Sequence, residues 1–380
     1  MPSRLGLGLG LRFRTTSSRH FLQPSSALSR FQSTSSVLSS YRGPADESKP
    51  GSHGRTDDTR QTKQQPPSLE TVVGKIDLGT FRKLAWIPEN PLLLRSFHDL
   101  PAVKKWFQYD AGTLSPKFAP YMETYEDIIF PYELTIRHTP SSTIESLEIH
   151  ALANFLEWIH ESNKHKTSYL PIIVETVIRS LSNKLGVSKN LSNFQQFEAP
   201  LCLITRALQF NLTRIKTSQR IKNLYIAQSN ISQLPEPLSQ DLPVPDIVKH
   251  AGKGDVYNSS IWLGLQPTYT PLHRDPNPNL FCQLVSSKRI RLMTPDRGDD
   301  IYARVRRELG SHSNSRIRGA EMMESREREM LHRAVWDDDS INEVVLDPRD
   351  ALFIPKGWWH SVASSDDDGE LNVSANWWFR

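Results

Sequence analysis

Residues 269–280 read YTPLHRDPNPNL, and this stretch decides most about the fold and the chemistry of the chain. A short extended segment that runs into Asp, Pro and Asn residues is typical of a strand closed by a turn. Residues i and i+2 of an extended segment point to the same side. His273 and Asp275 can therefore offer one imidazole nitrogen and one carboxylate oxygen to a single ion. His-x-Asp alone is a weak signal, because chance and turn formation produce it often.

A candidate for a third ligand lies downstream. Residues 350–360 read DALFIPKGWWH, in which a buried strand ends at a turn and His360 stands just beyond it. Two histidines and one carboxylate on one face leave three positions open, which is the arrangement of non-haem iron(II) oxygenases. Iron needs these open positions because a co-substrate and dioxygen must bind it together. The two motifs together are more specific than either one alone.

The region from residue 255 onward has the sequence pattern of an all-β domain. Short apolar runs separated by Gly, Pro, Asn and Asp predict many strands closed by turns. These runs are residues 280–285, 290–293, 344–346, 351–354 and 371–379. Residues 296–342 carry charges of both signs, and we interpret them as a surface insertion that overhangs the pocket mouth and contains one helix at residues 320–335.

The preceding part of the chain is predicted to be mostly helical. A short buried strand is expected at residues 92–94, with a helix beginning near Pro101. Apolar residues at helical spacing predict three further helices, at residues 147–159, 172–185 and 201–215. Ser142 with Glu145 forms a capping box before the first of them, and Gly186 is expected to end the second as its C′ residue.

The positive charge of the chain is concentrated at its beginning. The 380 residues include 46 Lys and Arg against 42 Asp and Glu, a formal net charge of +4. Residues 1–45 contain six arginines and no Asp, Glu or Lys; removing these six leaves 40 basic against 42 acidic residues, a net charge of −2. An arginine-rich, serine-rich and acid-free segment is typical of a mitochondrial transit peptide. The alternative interpretation is a disordered basic tail.

The expected domain organisation follows from these compositions. Residues 1–41 are the predicted transit peptide, and residues 42–69, which are polar and rich in Gly, Pro and Ser, are a predicted disordered linker. Residues 70–250 are expected to form the N-terminal strand and helical part of a domain whose core, with the candidate metal ligands, is residues 251–380. No run of eighteen apolar residues occurs, so no membrane span is expected.

Several stretches together resemble the JmjC family of oxygenases that depend on iron(II) and 2-oxoglutarate, in particular its small, cupin-like protein hydroxylases. The resemblance rests first on residues 269–280 with Gln283 and Lys288. Further stretches agree with the family in order and spacing, and the resemblance covers roughly residues 75–380. These stretches are residues 81–106, 225–228, 242–246, 350–355, 358–360 and 376–378.

The resemblance implies a role for eight residues. His273, Asp275 and His360 would be the iron ligands. Lys288, fifteen positions after His273, would pair with the distal carboxylate of 2-oxoglutarate, and this interval fits the hydroxylase branch. The other implied residues are Thr270 and Tyr225 as hydroxyl donors to the same carboxylate, Asn279 in the co-substrate pocket and Trp378 in its wall near the metal.

Each assignment to the co-substrate pocket has a structural alternative. Lys288 stands in a Ser-Ser-Lys-Arg sequence and could be a solvated turn lysine. Thr270 could be an ordinary strand residue, Tyr225 a core tyrosine and Asn279 the cap of a turn. Trp378, like most tryptophans in such sequences, could simply belong to the core.

The expected fold is mainly β with helices (α+β), a double-stranded β-helix or cupin-like jelly roll with an N-terminal helical part and a helical insertion. The resemblance implies a dioxygenase that uses Fe(II), 2-oxoglutarate and O2 and hydroxylates a protein side chain. Alternatives are action on RNA, demethylation of an N-methyl group, a metal-dependent isomerase and a non-catalytic cupin-like binding domain. No DNA partner is predicted.

Overall fold

A computed structural model describes residues 69–112, 114–136, 143–163, 169–187, 194–310, 323 and 325–380. The described strands are β1 (Thr71–Val73), β2 (Leu92–Arg95), β3 (Phe107–Tyr109), β4 (Pro116–Phe118), β5 (Ile129–Thr135), β6 (Phe194–Pro200), β7 (Leu224–Asn230), β8 (Val256–Leu265), β9 (Tyr269–Arg274), β10 (Asn279–Val285), β11 (Lys288–Met293), β12 (Asn342–Leu346), β13 (Ala351–Ile354), β14 (Trp359–Ser364) and β15 (Leu371–Phe379). The predicted transit peptide and nearly all of the predicted linker lie outside the described residues.

Helices surround these strands on both sides. The described α-helices are α1 (Leu78–Phe81), α2 (Pro101–Lys105), α3 (Pro120–Glu123), α4 (Thr143–Asn163), α5 (Tyr169–Val187), α6 (Cys202–Leu212), α7 (Glu236–Gln240), α8 (Asp246–His250), α9 (Pro295–Leu309) and α10 (Arg326–Trp336). Shorter segments are a π-helical turn at Arg82–Trp86 and 3-10 turns at Thr217–Gln219 and Ile231–Gln233. Among these described segments, none combines the length and the apolar character that a bilayer crossing requires.

Two sheets make up the jelly roll that the sequence predicts. The larger sheet has nine strands in the order β1-β2-β13-β10-β15-β8-β7-β5-β6, and the smaller sheet has four in the order β12-β11-β14-β9. Strands β10, β15 and β8 are adjacent and antiparallel in the larger sheet, as are β11, β14 and β9 in the smaller one. The predicted α+β, cupin-like fold is confirmed.

The strand registers define which side chains face the space between the sheets. Residues paired across antiparallel strands point to the same side. In the smaller sheet Ile290 pairs with Val362 and Leu292 pairs with His360, and Ile290, Leu292 and Val362 share a buried apolar cluster with Phe281 of the larger sheet. This face of each sheet is therefore the interior face, and the largest apolar core lies on the opposite side of the nine-stranded sheet, against the helices.

The two described helices of the insertion pack on the outer face of the smaller sheet. Ile301 of α9 and Leu331 of α10 share an apolar cluster with Leu272, Met293 and Trp359, whose side chains point away from the interior. The described part of the insertion thus covers the outside of the sheet, whereas the prediction placed the insertion over the pocket mouth. Residues 311–322 and 324 lie outside the described residues.

Most predicted elements are confirmed, while several observed ones were not predicted. The strand at residues 92–94 and the helix at Pro101 are present as β2 and α2, and the three longer helices correspond to α4, α5 and α6. Gly186 does not end α5, which continues to Val187, so that prediction is wrong. Helix α9 and strands β5 and β6 were not predicted. Ser142, the proposed cap of α4, lies outside the described residues.

Candidate metal centre

His273, Asp275 and His360 bring one donor atom each to a common point. His273 of β9 lies opposite His360 of β14, and Asp275 follows the end of β9. Their three donor atoms lie within 4.8 Å of one another. Asp275 Oδ1 is 4.0 Å from Nε2 of His273, and Asp275 Oδ2 is 3.6 Å from Nε2 of His360. The geometric condition for a shared metal ion is therefore satisfied by the residues themselves.

Both imidazole rings are oriented by the backbone. Nδ1 of His273 lies 2.8 Å from the carbonyl oxygen of Pro271, and Nδ1 of His360 lies 3.2 Å from that of Trp358. A carbonyl oxygen only accepts, so each Nδ1 carries a proton, and in the neutral form of each ring Nε2 presents its lone pair. Metal-binding histidines commonly donate their second N–H in this way, which fixes the ring and raises its basicity.

The Asp275 carboxylate is kept in its ionised form. Burial acts to raise its pKa, but the neighbouring His360 and His273, together with weaker contributions from Trp378 and Asn279, hold the pKa below its usual range. The Trp378 indole N–H is itself buried and makes no hydrogen bond of good geometry. The set of two imidazoles and one carboxylate suits a divalent transition metal that keeps open positions.

A β-bulge turns Thr270 to the same side as His273. Between the pairs His273–His360 and Thr270–Val362, strand β9 has two residues where β14 has one. The additional residue reverses the alternation of side chains along the strand. Thr270 therefore faces the interior with His273, although three positions separate them. Its contact with a bound carboxylate stays a prediction.

Lys288 is buried at the other end of the same interior face. Only 1% of its surface is exposed, so the interpretation as a solvated turn lysine is wrong. Its Nζ donates to Ser374 Oγ at 2.9 Å and to Tyr225 Oη at 3.3 Å. In the described part of the chain no carboxylate lies within ion-pair distance of it, and burial lowers the pKa of Lys288 to about 7.

The position of Lys288 fits a small organic acid. A buried cationic group is costly unless an anion neutralises it, and the hydrogen-bond partners of Lys288 among the described residues are two hydroxyl groups. Lys288 stands four residues before Leu292, the residue opposite His360, which corresponds to ~13 Å along β11. A lysine side chain extended toward the triad and a short dicarboxylate can together bridge such a separation.

Tyr225 is fixed in this pocket by its neighbours. It forms a buried aromatic cluster with Trp262 and Trp378, and its ring centroid lies 6.1 Å from that of Trp262. On the adjacent strand a Cβ atom added to Gly264 would lie 2.5 Å from the Tyr225 ring, so only glycine permits this close approach. Burial raises the pKa of Tyr225 far above its ordinary value, which leaves its hydroxyl as a donor for a carboxylate.

Asn279 and Trp378 both lie on the interior face, paired across β10 and β15. The prediction gave Asn279 a place in the co-substrate pocket. Its amide is engaged on both sides: Nδ2 donates to Asp275 Oδ2 at 3.0 Å, and Oδ1 accepts from Asn376 at 2.9 Å. The contacts of Asn279 thus hold Asp275, and Trp378 lies beside that carboxylate; the roles of both residues toward a co-substrate stay predictions.

Sequence reasoning missed Trp262, Ser374 and Asn376. A signal was present in β15, which reads LNVSANWWF and places polar residues at every second position. Such alternation normally marks a solvent-exposed face. Asn372, Ser374 and Asn376 are all fully buried, so here the alternation marks a polar interior.

Comparison with known proteins assigns the fold to a family. The sequence model described as "Cupin-like domain" matches residues 81–380. This chain belongs to the cupin-like domain family. Its described interior, with a metal-type triad and a buried lysine, is therefore the interior of a cupin-like jelly roll.

The cupin-like chain also has relatives with JmjC names. It is similar to lysine-specific demethylase 8 of Danio rerio, with 32% identity over 158 residues, which is 41% of this chain and 36% of the relative. Jumonji C domain-containing protein 5 of Drosophila melanogaster is 31% identical over 173 residues, 45% of this chain and 40% of the relative. Lysine-specific demethylase JMJ30 of Arabidopsis thaliana is 27% identical over 180 residues, which is 47% of this chain and 38% of the relative.

These relatives confirm the resemblance to JmjC proteins that the sequence indicates. The matched parts span at most 40% of the length of these three relatives. The similarity therefore concerns the domain, and the activity of the whole protein is a separate matter.

Proposed function

We propose that this protein is an oxygenase that depends on iron(II) and 2-oxoglutarate and hydroxylates a side chain of a protein substrate. One observation carries the proposal: the His273–Asp275–His360 triad and the Lys288 ammonium face the same interior from opposite ends of the smaller sheet. A metal site alone would suit many enzymes. A buried lysine without a carboxylate partner, on the same face, adds a site for an organic acid.

The roles of the residues follow from their contacts. His273, Asp275 and His360 would hold the metal through two Nε2 atoms and one carboxylate, and Lys288 would pair with the far carboxylate of 2-oxoglutarate. The bound metal and 2-oxoglutarate supply the activation of dioxygen. Tyr225 and Ser374 keep the lysine directed into the pocket. The aromatic cluster around Tyr225 excludes water from this end of the site.

The interior face favours a neutral group as the target of oxidation. Asp275 is the one carboxylate among the described residues on the interior faces of β8 to β12, β14 and β15, while Glu133 of β5 pairs with Tyr225 and shares its face at the co-substrate end. A cationic methylated lysine needs a carboxylate or a free aromatic face for recognition, and Lys288 already places a buried amine 5.6 Å from the Tyr225 ring. Hydroxylation of an uncharged side chain is therefore the first candidate.

Demethylation is the second candidate, because two of the relatives reported above are named lysine-specific demethylases. The two reactions differ in the change of mass that they cause in a peptide. Hydroxylation adds one oxygen atom, whereas removal of a methyl group subtracts one CH2 unit. Mass spectrometry of a peptide library incubated with the protein separates the two reactions. RNA oligonucleotides, assayed in the same way, test the RNA alternative.

Succinate release from 2-oxoglutarate tests the oxygenase proposal. We expect the full chain with iron(II) to release succinate, and the variants His273→Ala and Lys288→Met to lose this activity. His160→Ala is a matched control, since that histidine is exposed on α4 and bonds to Glu175 away from the site. A wild-type protein that neither binds nor turns over 2-oxoglutarate would overturn the proposal and leave the isomerase or binding-domain alternatives.

We further propose that the protein is imported into the mitochondrial matrix. The support is the composition of residues 1–45, with six arginines and no acidic residue. A fluorescent fusion of the full chain is expected in mitochondria, and a fusion that lacks residues 1–45 is expected in the cytoplasm or nucleus. Mitochondrial import of the shortened fusion would refute the assignment.

A further inference from the structure

We propose that Trp262, Asn376 and Asn279 form a positioning relay that orients the Asp275 carboxylate for metal binding. The Trp262 indole donates to Asn376 Oδ1 at 2.7 Å. Asn376 Nδ2 donates to Asn279 Oδ1 at 2.9 Å, and Asn279 Nδ2 donates to Asp275 Oδ2 at 3.0 Å. These three hydrogen bonds connect a tryptophan of β8 to one member of the triad. The relay rests on the proposed metal site.

The chemistry of the two ends gives the relay a direction. An indole N–H can only donate, and an ionised carboxylate can only accept. Each amide between them has one donating and one accepting end. The Trp262 donor therefore sets the orientation of Asn376, which sets that of Asn279, which in turn presents N–H groups to Asp275. A rotation of either amide by half a turn would break two of the three bonds.

Because the four side chains are buried, the orientation of the two amides cannot change easily. The exposed fractions are 8% for Trp262, 1% for Asn376, 3% for Asn279 and 6% for Asp275. Water therefore cannot replace a lost partner easily, and a buried polar group without a partner is unfavourable. The network has one arrangement in which all four side chains are satisfied.

Asp275 needs such an anchor because it stands beyond the last residue of β9. Its carbonyl oxygen accepts one hydrogen bond from Gly357, and no strand pairing includes it. The relay members lie on β8, β15 and β10, so the carboxylate is tied to three adjacent strands of the larger sheet. The histidines, in contrast, belong to paired strands of the smaller sheet. The relay thus fixes the position of the Asp275 carboxylate relative to the two imidazoles, which belong to the opposite sheet.

Cobalt(II) titration of the metal-free full-length protein, followed by ligand-field absorption, tests the relay without turnover. Residues that orient metal ligands typically contribute about 10–100-fold to metal affinity. We expect a loss in this range for Asn376→Asp and Asn376→Leu, and a smaller loss for Trp262→Phe. The succinate assay, run in parallel, should show lower activity that excess iron(II) restores in part.

Asn376→Asp is the decisive variant because it preserves the shape of the side chain. A carboxylate at position 376 cannot donate to Asn279, so the Asn279 amide turns and directs its oxygen at Asp275. A role in packing alone predicts cobalt(II) affinity close to wild type for this variant. A role in orientation predicts a loss at least as large as that of Asn376→Leu.

Two control variants match the changes in the relay. Asn372→Leu alters a buried amide on the same face of β15, bonded to Gln266 and Ser287 and not to the relay. Trp377→Phe alters a buried tryptophan whose indole N–H has no acceptor. Both should bind cobalt(II) as the wild type does. If the wild type binds cobalt(II) and the affinity of Asn376→Asp is within twofold of the wild-type affinity, the relay is overturned and the metal site stands. If the wild type binds no cobalt(II), the metal site and the relay are overturned together.

Discussion

The Nζ atom of Lys288 donates a 2.9 Å hydrogen bond to Oγ of Ser374, and this bond joins the two sheets across the interior. Lys288 begins β11 of the four-stranded sheet, and Ser374 lies on β15, the middle strand of the nine-stranded sheet. The lysine is therefore held in place before any ligand binds. Preorganisation of this kind reduces the cost of ordering a long side chain on binding.

Ser374→Ala is expected to weaken the binding of 2-oxoglutarate while metal affinity stays unchanged. A hydrogen bond to a charged group is worth about 1.5–3 kcal/mol, which corresponds to roughly 10–100-fold in affinity. Isothermal titration of 2-oxoglutarate into the metal-loaded protein measures this change. Ser260→Ala is the control, because Ser260 is a buried serine on the same interior face whose hydroxyl has no partner. Equal affinities for both variants would contradict the role of Ser374.

The affinity for 2-oxoglutarate is expected to fall as the pH rises above 7. Burial lowers the pKa of Lys288 to about 7, so at higher pH the free protein carries a neutral amine there. Pairing with a carboxylate requires the ammonium form, so above pH 7 the protein must take up a proton when 2-oxoglutarate binds. This uptake lowers the affinity by a factor that approaches about tenfold per pH unit. Below pH 7 the ammonium is already present and this dependence disappears.

Titration calorimetry in two buffers of different ionisation enthalpy measures the proton uptake directly. We expect it to rise from near zero at about pH 6 toward one proton at about pH 9. Lys288→Arg provides the control, since arginine keeps its charge throughout this range. A pH-independent affinity in the wild type would show that Lys288 is not the partner of the carboxylate.

Gly264→Ala is expected to damage the co-substrate end of the site. The added methyl group would lie 2.5 Å from the ring of Tyr225 and 2.7 Å from the carbonyl oxygen of Leu224. Overpacking of this kind costs about 1–3 kcal/mol of unfolding free energy and displaces the tyrosine from Lys288. Chemical denaturation and 2-oxoglutarate titration should both show losses. Gly112→Ala, where the nearest atom would be 3.6 Å away, should change neither.

Gly298→Ala tests the link between the insertion and the metal centre. A methyl group at this position of α9 would lie 2.1 Å from the ring of Trp359, the residue before His360. We expect a loss of about 1–3 kcal/mol in stability together with weaker cobalt(II) binding, because the helix must move away from β14. A variant that loses stability but binds cobalt(II) normally would show that the insertion supports the sheet without affecting the ligand.

The sequence is sufficient to predict the fold and the members of the triad, since both depend on local patterns. His273 and Asp275 are two positions apart on one segment, and His360 follows a strand and a turn that are recognisable in the chain. Lys288 could be assigned only through the family resemblance, because its immediate neighbours are polar. Its burial depends on two distant residues, Tyr225 and Ser374.

The relay could not be predicted from local patterns. Its bonds depend on the registers of β15 with β8 and β10, and a shift of one residue would turn Asn376 to the other face. Helix α9 is a different case, since its signals were present in the sequence. Thr294 caps it, Pro295 occupies its first turn and Gly310 follows it in the left-handed conformation. The abundance of charged residues obscured these signals.

The position of β15 has a consequence for how the protein folds. Among the described strands it is the last in sequence, yet it lies between β10 and β8 in the middle of the larger sheet. Until it is added, β8 and β10 expose unpaired edges, which are prone to association with other chains. Folding must therefore wait for contacts between residues more than a hundred positions apart, as between Trp262 and Asn376, and contacts of this range make folding slow. During that time the edges of β8 and β10 stay open to pairing with other chains.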